Sequence, residues 1–424
     1  MSNVVIVREA FDWLEVQPDS SFTEEDMKEL IAYMSRVYPK LEWLELGFNR
    51  VKFINIVGTI RLSRVQIDII PKLLLGEEEG RSALLNMLGI CGYVPYTMGQ
   101  ASASVQVVDV DLLGWIAAGF CMQLEKQLKR GVAVDYVEVE ENSQRLKGRL
   151  MISKHLQLNA ADKTRVYCRF DERSTAIPLN LVFCKTLAVL KRKMFDPAIR
   201  KKLLQLSGYL EDLDEQEDIK DLLNQVQFDR QTSRFEPAFR LAKLILSKLS
   251  VLHRGTKEEC FSFLFEVHSL YEMYVGRVLQ QMPLGSDAVV WLQHEEVKLL
   301  KNEDSGRDNI QLIPDIVLGE RQENGAEVWN VIMDTKWKAA TKYQQDDIYQ
   351  MYAYVTGYPN AKSALLLYPA TDLPDSSRNW TLAADSGKRI RMRTIRINHW
   401  KDTQEDLQGI LEEAGWNLCS DFKS

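Results

Sequence analysis

Residues 313–318 read IPDIVL and residues 331–338 read VIMDTKWK, two apolar runs joined by a polar stretch with Asn324–Gly325 at its centre. Asn–Gly is the pair that a two-residue type I′ turn prefers, so the spacing predicts a β-hairpin in which Glu323 faces Ala326. With no bulge, that register sets Asp315 directly opposite Asp334. Cross-strand partners on one face stand about 4.5–5.5 Å apart at Cβ, and like charges so placed are destabilising unless something binds between them. A divalent cation would do so. Side chains alternate along a strand, so Lys336 shares the face of Asp334 and Thr335 turns away.

Two carboxylates and a lysine at one strand end are what a metal-dependent nuclease requires. The acids hold Mg²⁺, and the lysine orients or deprotonates the attacking water. An acid two residues before a lysine is common here, recurring at Asp26–Lys28, Asp218–Lys220, Glu296–Lys298 and Asp421–Lys423. Asp334 differs in ending an apolar strand that follows a second apolar strand bearing Pro314–Asp315. The plain alternative is a surface hairpin whose charges face water.

Working outward, LFEVHSLYEMYVGRVL places Glu272 between Tyr271 and Tyr274 in a segment expected to be helical from Phe261 to Gln280. Glu272 is the candidate third acid, with Glu266 as a weaker competitor. In DIYQMYAYV, Gln350 and Tyr354 are four apart and share a helix face, where amide and phenol can reach a lysine or a phosphate. The run KRIRMRTIR, residues 388–396, puts Arg389, Arg391 and Arg393 on one strand face. That face is either an edge-strand guard against aggregation or a phosphate-contacting ribbon.

A chain of 424 residues exceeds one ordinary core, and three segments are expected. Residues 1–165 read as mixed α/β, with strands Val4–Arg8, Val51–Ile60 and Val65–Ile70, a helix after Thr23 and another over Asp109–Arg130. Residues 166–255 turn to helical period and contain an acidic run, GYLEDLDEQEDIKD, best read as a solvated face. Residues 256–424 return to α/β. The six cysteines form no Cys-x-x-Cys pair and share no ligand spacing with the five histidines, which argues against zinc and against a disulfide framework. A net charge of −7 leaves DNA binding to local basic patches or to a partner. No run has the length to span a bilayer and no secretory leader is evident, so a cytoplasmic location is expected.

Hairpin, acids, lysine and the Gln350/Tyr354 helix resemble the PD-(D/E)xK nuclease fold, in the branch with a QxxxY helix. LYEMYV, IPDIVL, MDTKWK, DIYQMYAY and LLLYP follow one another as in the McrC family, the cleavage subunits of 5-methylcytosine-directed McrBC restriction systems. The similarity continues upstream through IVGTIRLSRVQIDIIPKL, LLNMLGI, LKRGVAVDYVEVEENSQRLKGRL and FDRQTSRFEPAFRLAKLIL.

The resemblance implies an N-terminal region that docks on a hexameric AAA+ McrB-like NTPase, a helical connector and a C-terminal nuclease domain that cuts double-stranded DNA with Mg²⁺. It assigns Asp315, Asp334 and Glu272 to the metal, Lys336 to the water, and Gln350 and Tyr354 to their support. GTP or ATP would be bound by the partner, because the chain contains no G-x-x-x-x-G-K-[ST] loop. A stand-alone repair nuclease and a non-enzymatic activator of an AAA+ motor are the alternatives.

Overall fold

The computed structural model describes residues 3–16, 21–38, 42–72, 77–93, 112–193, 196–210, 218–249, 260–304, 308–371 and 377–416. Its contacts group into two compact units, one of residues 1–112 with 254–424 and the other of residues 113–253. This differs from the division at 165/166 and 255/256, and the reason lies in the segment after Cys260. The reading of Phe261 to Gln280 as one helix is corrected. FSFLFE forms a strand, and the helix begins only at Val267.

The first sheet of the larger unit is built from β1 (Asn3–Arg8), β2 (Ile56–Arg61), β3 (Val65–Ile70) and β4 (Phe261–Glu266), in the order β1-β3-β2-β4. All six residues of β3 are buried, its two polar ones included: Asp68 accepts from the Thr59 hydroxyl and the Gln66 amide, each at 3.0 Å, and pairs with Arg81. β1 runs parallel to β3, and β4 runs antiparallel to β2 with Gly58 opposite Leu264. Gly58 has φ +132°, and a Cβ there would stand 2.0 Å from the Phe263 carbonyl oxygen, so only glycine lets β4 close the sheet. The strand expected over Val51–Ile60 is broken at Asn55, whose φ of +56° turns the chain from a small three-stranded sheet into β2. Helix α1 (Glu24–Val37) begins at Thr23, whose hydroxyl and backbone exchange bonds with Asp26 in a capping box.

The second sheet of this unit contains β5 (Ala288–Leu292), β6 (Ile316–Arg321), β7 (Glu327–Thr335), β8 (Ser363–Pro369), β9 (Arg378–Thr381) and β10 (Arg389–Ile395), ordered β5-β6-β7-β8-β10-β9. β7, β8 and β10 are mutually parallel, while β5, β6 and β9 are antiparallel to their neighbours. Parallel neighbours need a crossover. Helix α2 (Gln345–Gly357) supplies the one between β7 and β8, burying Met351, Tyr354 and Val355 against Val317, Ile332, Leu366 and Met392. Before this sheet runs helix α3 (Val267–Gln281), and after it helix α4 (Trp400–Glu413).

The smaller unit contains helices Leu112–Leu128, Pro178–Lys193, Pro197–Ser207, Ile219–Gln225 and Glu236–Leu249, and a sheet of Asp135–Ser143, Arg149–Leu150 and Val166–Ser174. Phe120, Phe183 and Phe235 stack through its core. The start of the helix expected from Asp109, and residues 211–217 of the acidic run, lie outside the described residues. Among the described residues no helix is long and apolar enough to cross a membrane.

Candidate functional site

The site forms where β6 begins and β7 ends. The turn between them is not the two-residue bend expected from Asn324–Gly325. Gln322 donates its N–H to the Ala326 carbonyl, and Gly325 adopts φ +81°, which makes a three-residue loop with glycine in the left-handed position. That loop shifts the pairing by one residue. A bulge between Leu318 and Gly319, where Asn330 is the extra residue, shifts it back. Ile316 therefore pairs with Met333, and Asp315 falls opposite Asp334 as the uninterrupted register had placed it.

Asp315 accepts hydrogen bonds at Oδ2 from the Thr335 N–H and hydroxyl, both at 2.7 Å. Asp334 is 2% exposed. The Lys336 ammonium lies 2.6 Å from Asp334 Oδ2, an ion pair held in place by a second bond, 3.0 Å, to Gln350 Oε1. Gln350 donates in turn to the Tyr354 hydroxyl at 2.9 Å, and that hydroxyl donates to the Ile313 carbonyl at 2.9 Å. An unbroken chain of contacts thus runs from Asp334 through Lys336, Gln350 and Tyr354 back to the segment that carries Asp315.

Glu272, on α3, receives a 2.9 Å bond from Gln293 Nε2, and the Gln293 backbone donates to the Asp315 carbonyl at 2.8 Å. Burial pushes the Glu272 carboxyl up to about 7, helped by the Asp315 charge. Burial likewise lifts Asp334 to about 6, again with Asp315 adding to the rise and Lys336 opposing it. Tyr354 is raised to about 12 by burial, so its hydroxyl keeps its proton and stays a donor. Glu266 is exposed, and its carboxylate accepts from Asn55 and Ser269.

These acids fit a hard divalent cation. All are oxygen donors, one is buried, and two have elevated affinities for positive charge, which a proton or a metal ion can satisfy. Among the described residues, however, no three such side chains stand together at ligand separation, so Asp315 and Asp334 form the nucleus and Glu272 lies beyond them.

The arginine strand is corrected. β10 lies between β8 and β9 and is no edge. Arg391 is buried, bonding the Ser363 hydroxyl and, at 2.9 Å, the Glu413 carbonyl, while Arg393 pairs with the Glu413 carboxylate at 2.6 Å. Both guanidinium groups are engaged at the C-terminal end of α4, where cations are stabilised. Only Arg389 of the three is exposed.

Sequence reasoning missed Thr335, Gln293 and Asp347. Thr335 was expected to turn away, yet its N–H and hydroxyl fix Asp315. Gln293 has φ +50° at the end of β5, a bend that no residue pattern announces. Asp347, buried in the first turn of α2, accepts from the Tyr368 hydroxyl at 3.0 Å and pairs with Lys338 at 2.7 Å; an acid in a first helical turn was the available cue.

Comparison with known families matches residues 51–369 to the McrBC 5-methylcytosine restriction system component. No curated protein matches the chain. Among solved structures, a chain in the refined half-complex from a tetradecameric assembly of Thermococcus gammatolerans McrB AAA+ hexamers with bound McrC superposes with TM-score 0.69 and 18% identity, covering 96% of this chain and 100% of that one. A chain of the Thermococcus gammatolerans McrBC complex superposes with TM-score 0.54 and 19% identity, covering 66% of this chain and 88% of that one. Both likenesses are of fold.

Proposed function

The chain belongs to the McrBC 5-methylcytosine restriction system component family, and from that premise we propose that it is the DNA-cleaving subunit of such a system. The observation that carries the reading is the convergence of Asp315, Asp334 and Lys336 at one strand end, with Gln350 and Tyr354 bonded behind the lysine. Asp315 and Asp334 would hold Mg²⁺, with Glu272 as the further acid. When bound, Mg²⁺ supplies Lewis acidity and offsets charge on the scissile phosphate.

The protein's own groups do the rest. Lys336 orients the attacking water through its ammonium N–H groups, and that ammonium is aimed by Asp334 and Gln350 rather than left to wander on a four-carbon stem. Tyr354 fixes which way the Gln350 amide points, presenting its oxygen to the lysine. Thr335 fixes one oxygen of Asp315, leaving the other for a ligand.

The Thermococcus gammatolerans assemblies contain McrB AAA+ hexamers. We extend that pairing to this chain. NTP hydrolysis and recognition of the modified base belong to the partner, and this subunit stimulates the partner's hydrolysis. The test combines the chain with its AAA+ partner, nucleotide, Mg²⁺ and methylated duplex DNA. Cleavage is expected, and Asp334→Ala or Lys336→Ala should abolish it while NTPase stimulation persists. Cleavage by either variant at the parental rate refutes the site.

A further inference from the structure

Three successive residues after the Asp334 strand are anchored in different directions. Lys336 bonds Gln350 on α2, and Lys338 pairs with Asp347 on the same helix. Trp337 points the other way, where its indole N–H donates to Glu9 Oε1 at 2.6 Å. Glu9 directly follows β1, the strand that opens the first sheet, and its backbone N–H bonds the Ile70 carbonyl at the end of β3. The indole is 1% exposed and packs, tilted by 59°, at 5.3 Å from the ring of Tyr271, the residue before Glu272. One tryptophan, next in the chain to Lys336, therefore ties the end of β7 to the α3 turn that carries Glu272, and a carboxylate from the first sheet fixes it.

Glu9 is 0% exposed and pairs with Lys72 at 3.4 Å on the same oxygen. Among the described residues its second oxygen, Oε2, is buried without a hydrogen-bond partner. A buried carboxylate so thinly compensated is costly, and an amide or an apolar side chain would fill the space at lower cost. Packing does not account for it. An anion at the indole N–H makes a stronger, more directional bond than a neutral acceptor and holds Trp337 against rotation.

We infer that Glu9 is a positioning residue of the nuclease centre, acting through Trp337 to set Lys336 against the aspartate pair, so that cleavage depends on the integrity of the first sheet. The inference rests on the nuclease reading above. Its consequence is a chemical step sensitive to a residue more than three hundred positions from Lys336 in sequence. Displacement of the first sheet, for example on engaging a partner, would be felt at the lysine.

The experiment compares Glu9→Gln, Trp337→Phe and the double variant with the parent, each assembled with the AAA+ partner, measuring kcat and KM for DNA cleavage, NTPase stimulation, melting temperature, and Mn²⁺ affinity by calorimetry. Each single variant is expected to lower kcat about 10- to 100-fold, as a small misplacement does, with KM, NTPase stimulation and Mn²⁺ affinity unchanged. The double variant should lose no more than the worse single, because both changes act on the same bond, one weakening it and the other removing it. Parental kcat in both singles, or multiplicative losses in the double, overturns the inference. A joint fall of kcat, Mn²⁺ affinity and melting temperature also overturns it, in favour of bulk packing. A parent that does not cleave is distinguishable, since it refutes the nuclease reading and the inference with it.

Discussion

Replacing Asp334 with asparagine should make the metal-free protein more stable while removing cleavage. The carboxyl is 2% exposed and is raised from 3.8 to about 6 by burial and by Asp315. At 1.36 kcal/mol per unit, holding it ionised costs the fold roughly 3 kcal/mol. The folded state keeps its proton where the unfolded chain has lost it, so between about pH 4 and pH 6 the native protein binds more protons and its stability falls as pH rises. Asparagine has no such window. It does leave Lys336 without its anion, but the ammonium keeps Gln350 and partial access to water, a loss of about 1–2 kcal/mol. The net gain at pH 8 is about 1–2 kcal/mol, or a few degrees in melting temperature. Thermal melts in a chelator at pH 5 and pH 8 test this. The variant should exceed the parent at pH 8 and lose the advantage at pH 5. A variant whose melting temperature tracks the parent's across that interval refutes the electrostatic argument.

Three more outcomes follow from single contacts. Tyr354→Phe removes the hydroxyl that orients Gln350, and kcat for cleavage should fall about 10-fold, the worth of one hydrogen bond, with melting little changed. At Gly319 a Cβ would stand 2.3 Å from the Val328 carbonyl oxygen, so Gly319→Ala disturbs the bulge and should cost about 2 kcal/mol in urea unfolding. If that variant unfolds at the parental midpoint, the compensating bulge is not needed. Arg391→Met should lower the melting temperature but leave the salt dependence of DNA affinity unchanged, since its guanidinium is engaged by protein acceptors; a shallower salt slope would restore the phosphate-contact reading.

The C-terminal part of the molecule was legible where its chemistry is local. Period two places Lys336 beside Asp334, and a spacing of four places Gln350 beside Tyr354, whatever surrounds them. The facing of Asp315 and Asp334 was read correctly for an incomplete reason. The loop at Asn324–Gly325 holds three residues rather than two, and the bulge at Asn330 cancels the slip. Periodicity cannot see a pair of shifts that compensate.

Tertiary pairing accounts for the rest. FSFLFE is mostly apolar, a composition shared by buried helices and buried strands, and only its register on β2 decides between them. That strand joins residues 1–112 to the C-terminal region in one unit, which no linear reading of composition shows. The partners of the β10 arginines were hidden for the same reason: alternation gave their common face but not α4, whose Glu413 engages Arg391 and Arg393.

The most direct test of the central claim is anomalous diffraction from crystals grown with Mn²⁺. The account predicts a peak ligated by the carboxylates of both Asp315 and Asp334, with the Lys336 ammonium beside it and Gln350 still bonded to the lysine. Full Mn²⁺ occupancy elsewhere, with the aspartate pair unligated, would contradict it.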